Sequence, residues 1–428
     1  MSRAPGTFAR LFPLIAVQLY LNGVVALFAW GPWPWPVRNP VRLYGFLILA
    51  HIAVALGYLS GAFKPARPDR GAIDPRRIIG LSIVFNLLLI GPTVFFKTGS
   101  ELTLIDAIRN PALAYYGVAE ASSPGKTATE IVRLFLGPIL VFLLPAGVYF
   151  WERLSGSMKS LVVGATVLNL TIWLMTGTNK GLADLLIMLP WLIAARVAAG
   201  KLRLRARHFV AGGATFGALI LGFVAFFTYG QSQRQGSIEV PQYFGPAGIY
   251  ANMDGPIMRS LSPGAQGAAR GLSIYATQGY YGLGLALDKP FVPTYGMGHS
   301  MLLHNVAKRV GGSDRAAEQS YPGRLETEDG FGRLAFWHSI YPWFASDVGF
   351  PGALLVVFLL ARLLAVVWVD MIGAGNLLAV PVFAFTIIIF AYFSANASVL
   401  SNPEGFTGFY ILMIVWWWRR KRQLNVAG

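Results

Sequence analysis

KLRLRARHFVAGGATFGALILGFVAFFTYG, residues 201–230, decides how this chain is read. Lys201, Arg203, Arg205 and Arg207 stand directly before an apolar run over 209–229. A bilayer-spanning helix needs about 20 apolar residues, and basic residues gather on its cytoplasmic side. The run is therefore expected to begin in the cytoplasm and to end outside it. The segment after it, 230–345, is mixed polar and aromatic sequence with no further run of spanning length. It carries three of the five histidines, nine of the 35 Lys and Arg residues and eight of the 19 Asp and Glu residues. Lipid anchoring alone would not call for such a segment, so this is where chemistry is expected.

Working outward, apolar runs recur near 11–30, 43–62, 78–96, 132–150, 160–176, 182–199, 347–368, 377–395 and 403–418. With 209–229 they make ten expected helices, or up to twelve, in an all-α integral membrane protein. The first run ends at AWGPWPW without a small-residue cleavage site and reads as a retained span. The net charge of +16 suggests nucleic acid until its placement is considered. With the N-terminus in the cytoplasm, the cytoplasmic segments hold 19 cations against Asp69, Asp74, Glu152 and Asp370. The rest of the chain is then nearly neutral. The basicity is a positive-inside signal, and no nucleic-acid partner is expected. Both termini fall in the cytoplasm, and 230–345 forms one large outer loop, with a second outer loop at about 97–130. The chain contains no cysteine, so disulfides and thiol ligands are excluded. With no N-glycosylation sequon in the long loop, a bacterial inner membrane is expected, with the long loop in the periplasm. The whole chain, 1–428, reads as one polytopic domain.

The Gly- and Pro-rich patches of the long loop favour turns and short helices. The apolar stretch at 267–288 suits the membrane interface or a re-entrant segment. Among the spans, TGTNKGLADLL (176–186) makes an outer hairpin whose sixth helix opens at Thr178–Gly181. A helix N-terminus with Lys180 suits a lipid-linked phosphate. A capped hairpin with Lys180 paired to Asp184 suits the same residues. Arg234, just past span seven, begins an Arg-x10-Gly pattern ending at Gly245. Its planar fork fits pyrophosphate, or it snorkels at the interface. In GMGHSMLLHNVAKR (296–309), His299 and His304 are candidate general bases for a sugar hydroxyl. For either one alone a satisfied structural histidine is the more frequent reading, and a zinc site would need His338 or an acid as third ligand. Residues 321–355 bring Arg324, Arg333 and His338 toward the membrane, with Asp347 at its edge. The interleaved aromatics suit either a membrane interface or sugar stacking.

Taken together, the many spans with one dominant outer loop, the T-G-T-N-K-G hairpin, Arg234-x10-Gly245, Y-G-M-G-H-S and the W-x9-D-x-G-x-x-G return (Trp337 to Gly352) resemble the Wzy-type O-antigen and oligosaccharide repeat-unit polymerases. Those polymerases share a superfamily with the O-antigen ligases. Many members place Arg in the hairpin where this chain has Lys180. The resemblance implies metal-independent glycosyl transfer at the periplasmic face, with no cofactor. A glycan on undecaprenyl pyrophosphate moves to the non-reducing end of the next lipid-linked unit. Arg234 with Arg324 or Arg333 would meet the pyrophosphate, with Lys180 assisting and Asp347 at the site's edge. His299, His304 or His338 would be the base. Lipid-linked glycans, membrane lipids and a chain-length-regulating co-polymerase are the implied partners. An O-antigen ligase delivering glycan to lipid A–core is the alternative. A polysaccharide or lipid transporter stands further off, since neither inverted repeats nor broken midplane helices are apparent.

Overall fold

The computed structural model of the chain describes residues 5–69, 73–98, 103–120, 123–203, 205–234 and 242–422. They form nineteen α-helices and one two-stranded hairpin, Tyr243–Phe244 with Ile249–Tyr250. Helices α1 (Thr7–Trp30), α2 (Pro40–Ala62) and α3 (Pro75–Thr98) come first. The short α4 (Leu104–Arg109) and α5 (Pro111–Glu120) precede α6 (Pro124–Leu140) and α7 (Leu143–Tyr149). Next come α8 (Gly156–Met175), α9 (Lys180–Ala198) and α10 (Ala206–Arg234). Beyond the hairpin lie α11 (Pro256–Arg259), α12 (Pro263–Leu287), α13 (Met301–Gly311), α14 (Arg315–Gln319) and α15 (Tyr321–Asp329). Helices α16 (Ile340–Ala374), α17 (Ala379–Ala391), α18 (Ser398–Ser401) and α19 (Pro403–Arg422) close the described chain.

Among the described residues, eight helical segments are long and apolar enough to cross a membrane: α1, α2, α3, α6 with α7 as one unit, α8, α9, α10 and α16. The chain is thus an all-α, multi-pass membrane protein. The two remaining expected runs are helical as well. Helix α17 has only 13 residues, and α19 begins at Pro403 and Glu404 and ends in Arg419–Arg422.

The centre of the fold is α16 against α2. Gly57 and Gly61, four apart, face α16 so closely that a Cβ on Gly57 would lie 2.2 Å from the Phe358 carbonyl oxygen. Small residues at this spacing let two backbones approach where lipid supplies no hydrophobic drive. Ala50, Val54, Ala361 and Ala365 continue the seam and are buried.

At one end of the bundle the charged segments converge. Arg10 Nη1 donates to the Ala62 carbonyl at 3.3 Å, and Arg67 N donates to Asp370 Oδ1 at 3.0 Å. Arg420 Nε donates to Asp370 Oδ2 at 2.8 Å, and Arg419 pairs with Asp69. Arg76 Nε reaches the Arg153 carbonyl at 2.6 Å, and Arg196 pairs with Glu152. Asp370 is fully buried, and its pairing with Arg420 and Arg67 N offsets part of the cost of burying a carboxylate.

The segment 242–339 is fastened to the bundle by the WPW turn after α1. Trp33 Nε1 donates to the Arg270 carbonyl at 3.2 Å and Trp35 Nε1 to Thr277 Oγ1 at 3.1 Å. Trp35 also stacks on Tyr281 at 5.5 Å. Helix α12, at 25 residues, is longer than the short helices expected here. Its second half is buried within the protein against α1, α2, α15 and α16.

Candidate functional site

The site is built where α16 breaks. Gly349 has φ 69° and ψ 169° inside that helix, a conformation essentially closed to any residue with a Cβ. Pro351 follows it within the helix. Helix α16 is therefore two pieces, and Asp347 sits on the last turn of the first. The loop 294–299 wraps this turn, with Tyr295 at φ 52° and Gly296 at φ 85°. Those left-handed residues bend the backbone so that successive N–H groups converge on one carboxylate.

Asp347 Oδ1 accepts from Thr294 Oγ1 at 2.6 Å, Gly296 N at 2.8 Å and Gly298 N at 2.8 Å. Oδ2 accepts from His299 N at 3.1 Å and His299 Nδ1 at 2.7 Å. A carboxylate can only accept, so Nδ1 carries a proton and, in the neutral ring, Nε2 carries the lone pair. Nε2 faces the Tyr410 hydroxyl on α19 at 3.3 Å. The Phe406 ring lies nearly parallel to the imidazole, 18° away in plane and 6.4 Å between centroids. One further contact pins the loop from the far side, where Ser300 Oγ donates to the Leu400 carbonyl beside α19. Chemically this is a carboxylate-oriented histidine, partly open to its surroundings, with a phenol beside its basic nitrogen. Such a unit takes up and returns a proton.

The other sequence-predicted residues are placed differently. His304 is buried, its ring 5.7 Å from Trp343 and its Nε2 without a hydrogen-bond partner. Burial, reinforced by the nearby Arg333 charge, pulls its pKa down to about 4. His338 is only 1% exposed and packs edge-on to Phe331 at 4.6 Å. Burial pulls its pKa down to about 3. Asp347, expected at the edge of the substrate site, has both oxygens taken by the 294–299 loop. Arg333 Nε pairs with Glu326 Oε2 at 3.1 Å. The Arg324 guanidinium lies over Tyr321 at 4.7 Å, and its Nε and Nη2 are buried with no hydrogen-bond partner. Lys180 pairs with Asp184 at i,i+4 and sits over Trp173 at 5.2 Å. Arg234 closes α10, and its side chain lies outside the described residues, as do 235–241.

Two hollows adjoin this region. A groove of roughly 490 Å³ runs between α16 and α19, from Phe344 and Tyr410 along Leu359, Leu363 and Met413 to Arg420. Tyr410 belongs to both the groove and the histidine site. Across α19 lies a cavity of roughly 220 Å³ holding Lys180–Asp184, Arg133–Glu404, Asn86 and Asn169. Tyr410 and Thr294 were not singled out from the sequence, because a tyrosine inside an apolar run and a threonine in a Pro-rich loop carry no local signature. Among the described residues, no three His, Asp or Glu side chains converge as metal ligands. No family model, curated protein or solved structure matches the chain.

Proposed function

We propose that this chain is a glycosyltransferase that polymerises saccharide repeat units carried on undecaprenyl pyrophosphate, working on the outer face of a bacterial inner membrane. The observation that carries the reading is the Asp347–His299 pair, whose Nε2 meets the hydroxyl of Tyr410, a residue that also lines an apolar groove. A base next to a lipid-sized groove suits an acceptor hydroxyl and a donor on a long isoprenoid chain. In the reaction, His299 Nε2 takes the proton of the acceptor hydroxyl as its oxygen bonds to the donor's anomeric carbon. The bond from that carbon to the pyrophosphate oxygen breaks, and undecaprenyl pyrophosphate leaves as an anion. The developing charge calls for fixed cations. Arg324, with two unspent buried donors, fits this role best, with Arg234, Arg333 and Lys180 as further candidates.

The same proposal sets the topology. Counting α17 and α19, the chain makes ten crossings with both termini in the cytoplasm, and 230–345 faces outward. Support comes from the convergence of Arg10, Arg67, Arg76, Arg196, Arg419 and Arg420 at one end of the bundle.

Replacement strains of the producing bacterium test the reading. With His299→Ala or Arg234→Ala at normal protein level, surface glycan should shrink to single repeat units. Full-length chains in either strain would remove that residue from the role. Long chains stranded on the carrier lipid would point instead to a ligase transferring glycan to lipid A–core.

A further inference from the structure

Helices α1 and α2 carry polar side chains on a face that no other described element covers. They run antiparallel: Tyr58 Oη, near the end of α2, donates to the Arg10 carbonyl, near the start of α1, at 2.6 Å. Gln18 is the twelfth residue of the 24 in α1, and His51 is the twelfth of the 23 in α2. At 1.5 Å per residue the helices are about 35 Å long, so both residues sit near the bilayer midplane. They bind each other: Gln18 Nε2 donates to the His51 carbonyl at 2.8 Å, and Gln18 Oε1 meets His51 Nδ1 at 3.1 Å. One turn along α1, Asn22 Nδ2 donates to the Gln18 carbonyl at 2.7 Å, with a longer 3.5 Å contact to Gln18 Oε1, and the residue is exposed. Its position is only about 6 Å from the midplane, well inside hydrocarbon about 30 Å thick. Lipid offers an amide nothing to bond to, and polar residues at such depth normally face protein or water. A groove of roughly 490 Å³ lies beside them, lined by α1 and α2 residues that include Val25, Tyr44, Ile48 and Ile52.

We propose that this face is the interface of a twofold-symmetric dimer, closed by a reciprocal hydrogen-bond pair between the Asn22 side chains of the two copies. The side-chain amide has two N–H donors and one carbonyl acceptor. One N–H is spent on the Gln18 carbonyl and the nitrogen keeps only a long contact to Gln18 Oε1, so the second N–H and the side-chain carbonyl are complementary to the same two groups on another Asn22. A foreign partner would need its own polar residue at that depth. A second copy carries one at the same depth, because all copies insert in one orientation and a twofold axis along the membrane normal preserves depth. The groove then receives the exposed apolar residues flanking Asn22, Leu19 among them. The dimer is independent of the catalytic reading.

The absence of cysteine makes the test direct. Two differently tagged copies, each carrying Leu19→Cys, are co-expressed and oxidised in native membranes. The dimer predicts a disulfide-linked product bearing both tags. Val163→Cys, exposed on α8, should give at least fivefold less. Adding Asn22→Leu should cut the Leu19→Cys product several-fold, and Asn22→Gln should restore it. A product that lacks the second tag, that forms equally at position 163, that joins another protein, or that ignores Asn22→Leu would overturn the proposal.

Discussion

A carboxylate has about four lone-pair sites, and Asp347 accepts five hydrogen bonds, so nothing is left over for a substrate. Its influence runs through His299, whose tautomer and ring plane it sets. Asp347→Asn would turn an N–H donor toward Nδ1–H or toward the 296–299 backbone, favouring the tautomer with Nε2 protonated. Turnover should fall about 10²–10⁴-fold, the span of one general base, while KM changes little. Steady-state kinetics of the purified variant checks this, and equal loss in KM would argue for mere structural damage. His304 gives a second residue-scale prediction. Its pKa of about 4 in the folded protein lies below the ordinary histidine value of 6.5. Stability is therefore complete above pH 6.5 and is lost as the pH falls toward 4, because the unfolded chain takes up the proton first. The loss at pH 5 is about 2 kcal/mol. Thermal unfolding at pH 7 and pH 5 should show His304→Phe losing correspondingly less than wild type. What was legible at this scale is local. The Lys180–Asp184 pair is readable from its i,i+4 spacing, whereas His299 and Asp347 are 48 residues apart and meet only because loop 294–299 folds over the break in α16.

At the scale of elements, that break and the α2–α16 seam matter most. Gly349→Ala forces a Cβ into a backbone region reserved for glycine and should cost about 1–3 kcal/mol. The same change turns Asp347 relative to the loop, so activity should fall further than stability. A variant that keeps full turnover while losing stability would separate the break from the site. Gly57→Val should also destabilise by about 1–3 kcal/mol or more through overpacking against the Phe358 backbone, read as a drop in unfolding temperature in detergent. Most spanning helices are legible as apolar runs, since the bilayer requires length and hydrophobicity of each one separately. The helices that hydrophobicity reads poorly are those shaped by neighbours. Helix α12 mixes Arg270, Gln278 and several tyrosines, yet half of it is buried in protein. Helix α6 gives way to α7 at Val141 and Phe142, between Pro138 and Pro145, where a continuous run of apolar residues shows no interruption.

For the whole molecule, charge placement and packing point the same way: cations assigned to one face by the positive-inside rule pair with Asp69, Glu152, Asp370 and backbone carbonyls at one end of the bundle, whereas Asp347 and Tyr410 lie toward the other ends of α16 and α19. Arg77→Cys and Val310→Cys, both exposed positions, test the orientation on a background without native thiols. A membrane-impermeant thiol reagent added to intact cells with a permeable outer membrane should label position 310 and reach position 77 only after the inner membrane is opened. The reverse pattern would invert the topology and remove the outer-face chemistry with it.

The most direct test of the central claim is turnover by the purified protein in lipid vesicles, supplied with a repeat unit on undecaprenyl pyrophosphate and followed by mass spectrometry. Wild type should form a carrier-linked double unit and release one undecaprenyl pyrophosphate per bond made, and His299→Ala should do neither. Chain growth by His299→Ala at the wild-type rate, or growth without release of the carrier, would contradict the account.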